Sequence, residues 1–199
     1  KTTLLRLLEG TLDSRGAVVT KAPCFYFPFL PKNVSQETLR VVEEISDVML
    51  WQIQRELSLL NVEEEVLYRP FETLSLGERT KVLMAALFLK EDGFLLIDEP
   101  TNHLDRDGRK SVSDYLKGKQ GFIVASHDRA FLDGCIDHVL SIERNGIRLR
   151  KGNVSQWQEE KSFEDQRERA SYEKQAKEMK RLATAAGQRA QWSETVERR

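Results

Sequence analysis

The chain is 199 residues long, enough to bury the core of one domain or slightly more, and its 31 lysines and arginines nearly cancel 32 acidic residues to leave a net charge of -1. That balance displays no polybasic face, although it leaves room for a local basic strip. The longest apolar run, residues 82–89, is too short to cross a bilayer, while Cys24 and Cys135 lack metal-ligand spacing and read as buried free thiols in a reducing cytosol.

The chain opens Lys1-Thr2-Thr3, followed by Leu4, Leu5, Leu7 and Leu8 on the buried side of a first helix that Gly10 fits to end. Lysine, hydroxyl and amphipathic helix is the order in which a phosphate-binding loop continues past its glycines. With no methionine or targeting segment before it, the expectation is a chain whose amino-terminal part is absent. Residues 17–20 and 24–27 are expected as short strands, punctuated by Pro23, Pro28 and Pro31. Leu39, Val42, Ile45, Met49, Ile53 and Leu57 then recur at three and four residues, which predicts one amphipathic helix in a helical subdomain running to about Leu67. Residues 62–67 supply a second short helix there.

Ser75 and Gly77 stand just before a long apolar helix through Leu89. That placement offers free backbone N–H groups to an anion, or else describes an ordinary helix cap. The organising stretch is FLLIDEPTNHLD at 94–105. Its apolar residues read as a strand buried on both faces that stops at Asp98 and Glu99, which puts acids at the carboxyl end of a sheet strand, where open α/β folds bind ligands. A first carboxylate there suits Mg²⁺, directly or through water, and a second suits orienting or deprotonating an attacking water. A polar helix over 109–116 leads to a second buried strand, 121–128, so His127 is expected on the same sheet edge as the acid pair. Residues 136–142 and 147–151 complete the globular part as short strands.

Beyond Trp157 the composition changes. From residue 156 to the end, ten lysines and arginines face nine acids, with Gly187 the only glycine and no proline, so a long solvated helix is expected. Tyr172, Ala176, Met179, Ala183, Ala186 and Ala190 form a narrow heptad seam of mostly small side chains, suited to a close antiparallel partner helix beyond the sequence.

Taken in order, Lys1-Thr2-Thr3, LSLGE at 74–78, FLLIDEPTNHLD at 94–105 and ASHD at 125–128 resemble an ATP-binding cassette ATPase domain. The EPTNHLD run and the long charged helix are similar to the ABC-F branch. YFPF at 26–29, LYRPFETLSLGERTKVL at 67–83 and AQWSETVE at 190–197 resemble its Lsa-type antibiotic-resistance members. The resemblance implies an α/β P-loop NTPase cassette with a helical subdomain at about 34–90, spanning 1–155, followed by the start of an interdomain linker helix over 156–199. It implies ATP and Mg²⁺ as ligands. Lys1, Thr2 and Thr3 would bind nucleotide, with Thr2 and Asp98 also at the metal, Glu99 as the catalytic glutamate and His127 as the switch histidine. Ser75, Gly77 and Glu78 would be signature residues and Asp105 part of the D-loop, contacting nucleotide bound to a second cassette of the same polypeptide. The implied partner is the ribosome, rRNA and tRNA near the exit site, in the cytoplasm and without a membrane. The implied role is protection of the peptidyl transferase centre from lincosamides, pleuromutilins or streptogramin A.

Three features depart from the family pattern. The glycine-rich half of the phosphate loop is not in the sequence, Leu76 stands where many cassettes have glycine, and Phe25 to Phe29 stand where transporters place a glutamine. A transporter ATPase subunit, a housekeeping translation factor of the same branch and a folded scaffold with an interaction helix are the competing readings.

Overall fold

The structure, a computed structural model, describes all residues except Ser14, Val48, Glu91, Arg144, Asn145, Arg198 and Arg199, with the backbone alone for 182–197. It divides into two compact units, Lys1–Asn153 and Val154–Arg199.

The first unit is built on three parallel strands, β1 (Cys24–Phe27), β2 (Phe94–Asp98) and β3 (Phe122–Ala125), hydrogen-bonded in that order. The register sets Phe27 beside Ile97 and Asp98 beside Ala125. Because side chains alternate along a strand, each sheet face takes every second residue. Tyr26 and Leu96 pack with Leu5 of the first helix, α1 (Thr2–Glu9), in one buried cluster. Phe27, Leu95 and Ile97 belong to the larger core on the other side. Asp98, two residues beyond Leu96, therefore falls on the α1 face. Of the leucines expected to bury α1, only Leu5 is fully buried, and Leu4, Leu7 and Leu8 are half-buried. Gly10 ends the helix at φ 86, the left-handed cap that glycine adopts without steric cost.

Between β1 and β2 lie α2 (Thr38–Ile45), α3 (Leu50–Leu59), 3₁₀ turns at Glu64–Tyr68 and Phe71–Thr73, and α4 (Leu76–Phe88). The single helix expected over 39–57 is thus two. Ser46 and Asp47 favour local hydrogen bonding over helix, and Gln52 reaches back to the Met49 backbone N–H at 2.8 Å, starting a new helix instead of continuing the old one. Met49, a member of the expected apolar stripe, is consequently 68% exposed, whereas Ile53 and Leu57 are fully buried. Burial of such a side chain contributes about 1.5–3 kcal/mol. The second short helix is the 3₁₀ turn at Glu64–Tyr68. The strand expected at 17–20 does not form: those residues pair with no strand, and Val19 is 90% exposed. Without cross-strand partners, β-branched residues alone make no sheet.

After β2, α5 (Arg106–Lys117) begins three residues earlier than expected because Asp105 caps it, its Oδ1 accepting from the Gly108 backbone N–H at 2.8 Å. Helix α6 (Arg129–Cys135) follows β3, and β4 (His138–Glu143) and β5 (Gly146–Lys151) form an antiparallel hairpin.

The second unit is α7 (Val154–Glu197), 44 residues, roughly 65 Å at the standard rise. Tyr172 and Met179 of the heptad seam are each 71% exposed. The side chains of Ala183, Ala186 and Ala190 lie outside the described residues. No described helix is long and apolar enough to cross a membrane.

Candidate nucleotide-binding site

The parity of β2 brings its last residue to the start of α1. Thr2 donates its hydroxyl proton to Asp98 Oδ2 at 2.6 Å, and Tyr26 donates to the same oxygen at 2.8 Å. Asp98 is 7% exposed, and its other oxygen, Oδ1, is buried with no hydrogen-bond partner. Burial first, then the hydrogen bond to Asp98 and its charge, push the Tyr26 phenol above its ordinary value, partly opposed by the Arg6 guanidinium lying 4.1 Å from the ring centroid. The phenol is therefore a proton donor at neutral pH.

Glu99 follows with φ 49, the left-handed region that a residue other than glycine occupies at a cost of about 1–3 kcal/mol. Its backbone N–H donates to the Ala125 carbonyl at 2.7 Å, tying β2 to β3 past the last ladder pair. The carboxylate accepts from the His127 backbone N–H at 3.2 Å and the Ser126 hydroxyl at 3.4 Å. His127 Nε2 lies 3.4 Å and Lys1 Nζ 3.8 Å from Glu99 Oε1, which is buried without a hydrogen bond of good geometry. Lys1 Nζ donates to the Ser126 carbonyl at 2.6 Å. His127 is thus on the expected edge, with its side chain 85% exposed to whatever enters. Thr3 lies in the first turn of α1, exposed.

An orphaned carboxylate oxygen beside a hydroxyl whose single proton is already committed is a pair of acceptors facing no donor, which fits a hard cation. Among the described residues no group of three or more His, Cys, Asp or Glu could hold a metal. A cation here would draw its remaining ligands from water and phosphate, as Mg²⁺ does with nucleotides.

Ser75, Gly77, Glu78 and Asp105 gather elsewhere. With Leu76, Lys81, His103 and Leu104 they line a cleft of about 570 Å³. Ser75 caps α4 reciprocally: its hydroxyl accepts from the Glu78 N–H at 3.2 Å, and Glu78 accepts from the Ser75 N–H at 2.7 Å. Desolvation alone would raise the Glu78 carboxyl, but the Ser75 hydroxyl and N–H and the charges of Arg69 and Lys81 hold it below the ordinary value. A Cβ at Gly77 would lie 3.4 Å from the His103 carbonyl oxygen, at the near edge of ordinary van der Waals contact. Leu76 is 54% exposed at the first turn of α4.

Two participants escaped the sequence reading. Tyr26 passed as one aromatic in a run, although its parity with Leu96 and Asp98 across the sheet would have placed it. Arg109 donates Nε to the Leu104 carbonyl at 3.1 Å and pairs with Asp128 at 3.2 Å, a bridge that no motif signalled.

The family model described as ABC transporter matches residues 1–102. The chain is 32% identical over 173 residues to the erythromycin resistance ATP-binding protein MsrA of Staphylococcus epidermidis, covering 84% of this chain and 32% of that protein. It is 38% identical over 130 residues to the ribosome protection protein VmlR of Bacillus subtilis, covering 63% and 23%. It is 39% identical over 101 residues to the energy-dependent translational throttle protein EttA of Haemophilus influenzae, covering 50% and 18%. The chain thus spans a third or less of the length of each of these relatives. Its fold matches the solved structure of an RNase-L inhibitor with a TM-score of 0.62 at 22% identity, over 77% of this chain and 32% of that one. With a family model matching just over half of its 199 residues and relatives drawn from the ABC-F branch, the chain belongs to the ABC transporter family of ATP-binding proteins.

Proposed function

We propose that this chain is the latter part of the first ATP-binding cassette, at 1–155, and the opening of the interdomain linker, at 156–199, of a cytoplasmic Lsa-type ABC-F protein that hydrolyses ATP on the ribosome. The observation that carries the nucleotide part is the convergence of Thr2 and Tyr26 on one oxygen of Asp98, with the other oxygen left unpartnered, next in sequence to the Glu99 carboxylate that Lys1 and His127 approach. Support for the ribosomal part comes from the likeness to a ribosome protection protein and an erythromycin resistance protein.

In this reading Lys1 places its positive charge, and the free N–H groups at the start of α1 their partial charge, against the phosphates. Bound Mg²⁺, held by the Thr2 hydroxyl and Asp98, supplies charge neutralisation on the phosphate oxygens. Glu99 orients the attacking water and accepts its proton. The Ser126 hydroxyl and the His127 N–H fix that carboxylate, and the exposed His127 ring remains available to the terminal phosphate. Ser75, Gly77, Glu78 and Asp105 serve nucleotide held by the second cassette.

The test uses the full-length protein with Glu99→Gln. ATP hydrolysis is expected to fall at least a hundredfold while ATP binding persists, and the variant is expected to sediment with ribosomes in ATP. Free ribosomes under those conditions would refute the ribosomal reading. Undiminished hydrolysis would refute the role of Glu99. The likeness to a translational throttle protein favours a second reading, a translation factor without a resistance role. Susceptibility of expressing cells to a lincosamide, a pleuromutilin and streptogramin A separates the two.

A further inference from the structure

Two hydroxyls serve one oxygen of Asp98 and none serves the other. Thr2 Oγ1 at 2.6 Å and Tyr26 Oη at 2.8 Å both donate to Oδ2. Oδ1 is buried and bare. A carboxylate oxygen offers two lone-pair directions, so Oδ2 is saturated and only Oδ1 is left for a cation or its water.

We infer that Tyr26 is a positioning residue for the metal ligand: its hydroxyl holds the Asp98 carboxylate in the one rotation that reserves Oδ1 for Mg²⁺. The inference rests on the nucleotide reading above. With Thr2 as sole donor, one lone pair of Oδ2 would stand bare in the interior and the carboxylate could turn, presenting either oxygen. A second hydroxyl, arriving from a different strand, removes that freedom. The tyrosine is itself held. It is 9% exposed, packs with Leu5 and Leu96, and carries the Arg6 guanidinium 4.1 Å from its ring centroid, while Arg6 pairs with Glu9 at 3.9 Å. The placement follows from strand parity, since Tyr26 pairs with Leu96, two residues before Asp98 and on the same face. Thr2 gains too: its only proton is spent on Oδ2, so its lone pairs are what it offers a cation.

Tyr26→Phe in the full-length protein keeps the ring, its packing and the Arg6 guanidinium against the ring face, and removes the hydroxyl with its bond to Asp98 and its interaction with Arg6. Two readouts separate positioning from scaffolding. Binding of a fluorescent ATP analogue in EDTA is expected to stay within about twofold of the unsubstituted protein. Half-saturation by Mn²⁺ in the presence of that analogue, followed by the resonance of the free ion, is expected to rise about tenfold, the range found when a partner of a metal ligand is removed. Unchanged Mn²⁺ affinity would overturn the inference, and so would an equal loss of analogue binding with and without metal, which marks a structural role. If the unsubstituted protein binds no analogue under either condition, the nucleotide reading itself fails and carries this inference with it.

Discussion

The seam between α3 and α5 is held by a buried ionic cluster, and its worth can be measured. Glu56 on α3, 6% exposed, accepts hydrogen bonds from the Tyr115 hydroxyl and from Lys119, whose side chain is 22% exposed. Burial first, and then the Glu56 hydrogen bond and charge, push the Tyr115 phenol far above its ordinary value, so it acts only as a donor. Tyr115→Phe removes that donor and nothing else, because the ring keeps its edge-on contact with Phe88 at 5.6 Å. A hydrogen bond to a charged acceptor is worth about 1.5–3 kcal/mol. Lys119 remains to neutralise the carboxylate, so the lower half of that range applies, about 2 kcal/mol, or roughly thirtyfold in a local opening equilibrium. Hydrogen exchange of amides in α3 and α5 of the full-length protein should accelerate by that factor, with exchange in α1 unchanged. In a Glu56→Leu background the same substitution should cost under about 0.5 kcal/mol, because the acceptor is gone. Equal costs in both backgrounds, or no acceleration, would refute the assignment of the seam to this cluster.

Two further outcomes are expected. The folded-state value of Glu78 is depressed, so its contribution to stability is complete above its unfolded value near 4.5 and is lost as pH falls through the lower folded value. Glu78→Gln should therefore flatten the stability profile on the acid side of pH 4.5 and leave its shape near neutrality unchanged; an unaltered acid limb would count against the capping box. The Cys135 thiol is pushed up to about 12 by burial, only partly offset by Ser113. Thiolate is the reactive form, so alkylation of Cys135 by iodoacetamide at pH 8 should run about three orders of magnitude slower than that of an unperturbed thiol, and rapid labelling at Cys135 itself, located by peptide mapping to distinguish it from Cys24, would refute its burial.

How far the sequence could be read depended on whether a feature is local. The acid pair at the end of β2 and His127 after β3 are legible because a buried apolar run that stops on polar residues has one plausible exit, the carboxyl edge of the sheet. At α4 the reciprocal bond from Glu78 is supplied by the structure, but Ser75 and Gly77 were legible as a helix start because they stand just before a long apolar run. The split between α2 and α3 was not, because the three-and-four spacing carries straight across Ser46 and Asp47 and only the Gln52 cap reveals the break. Residues 17–20 misled in the opposite way: a β-branched run signals strand preference and says nothing of a pairing partner. Tyr26 and Arg109 were invisible as motifs because each acts through a residue distant in sequence, Tyr26 through Asp98 and Arg109 through Asp128.

The two groups of proposed site residues are joined indirectly. Among the described residues no hydrogen bond or ion pair links Lys1, Thr2, Asp98, Glu99 or His127 directly to Ser75, Gly77, Glu78 or Asp105. A route does run from the Leu104 carbonyl through Arg109 to Asp128, whose N–H meets the Ser126 hydroxyl that in turn touches Glu99. In the proposed reading, where each cassette would complete the other's site, that route would let the residues offered outward report on nucleotide held inward without contacting it. The capping box does not compete with that role. Ser75 receives the Glu78 N–H on a lone pair, and its own hydroxyl proton has no acceptor among the described residues, so the group that starts α4 still has a donor for an arriving phosphate. The ordinary helix cap and the anion contact are two uses of one hydroxyl, and the geometry of the first leaves the second open.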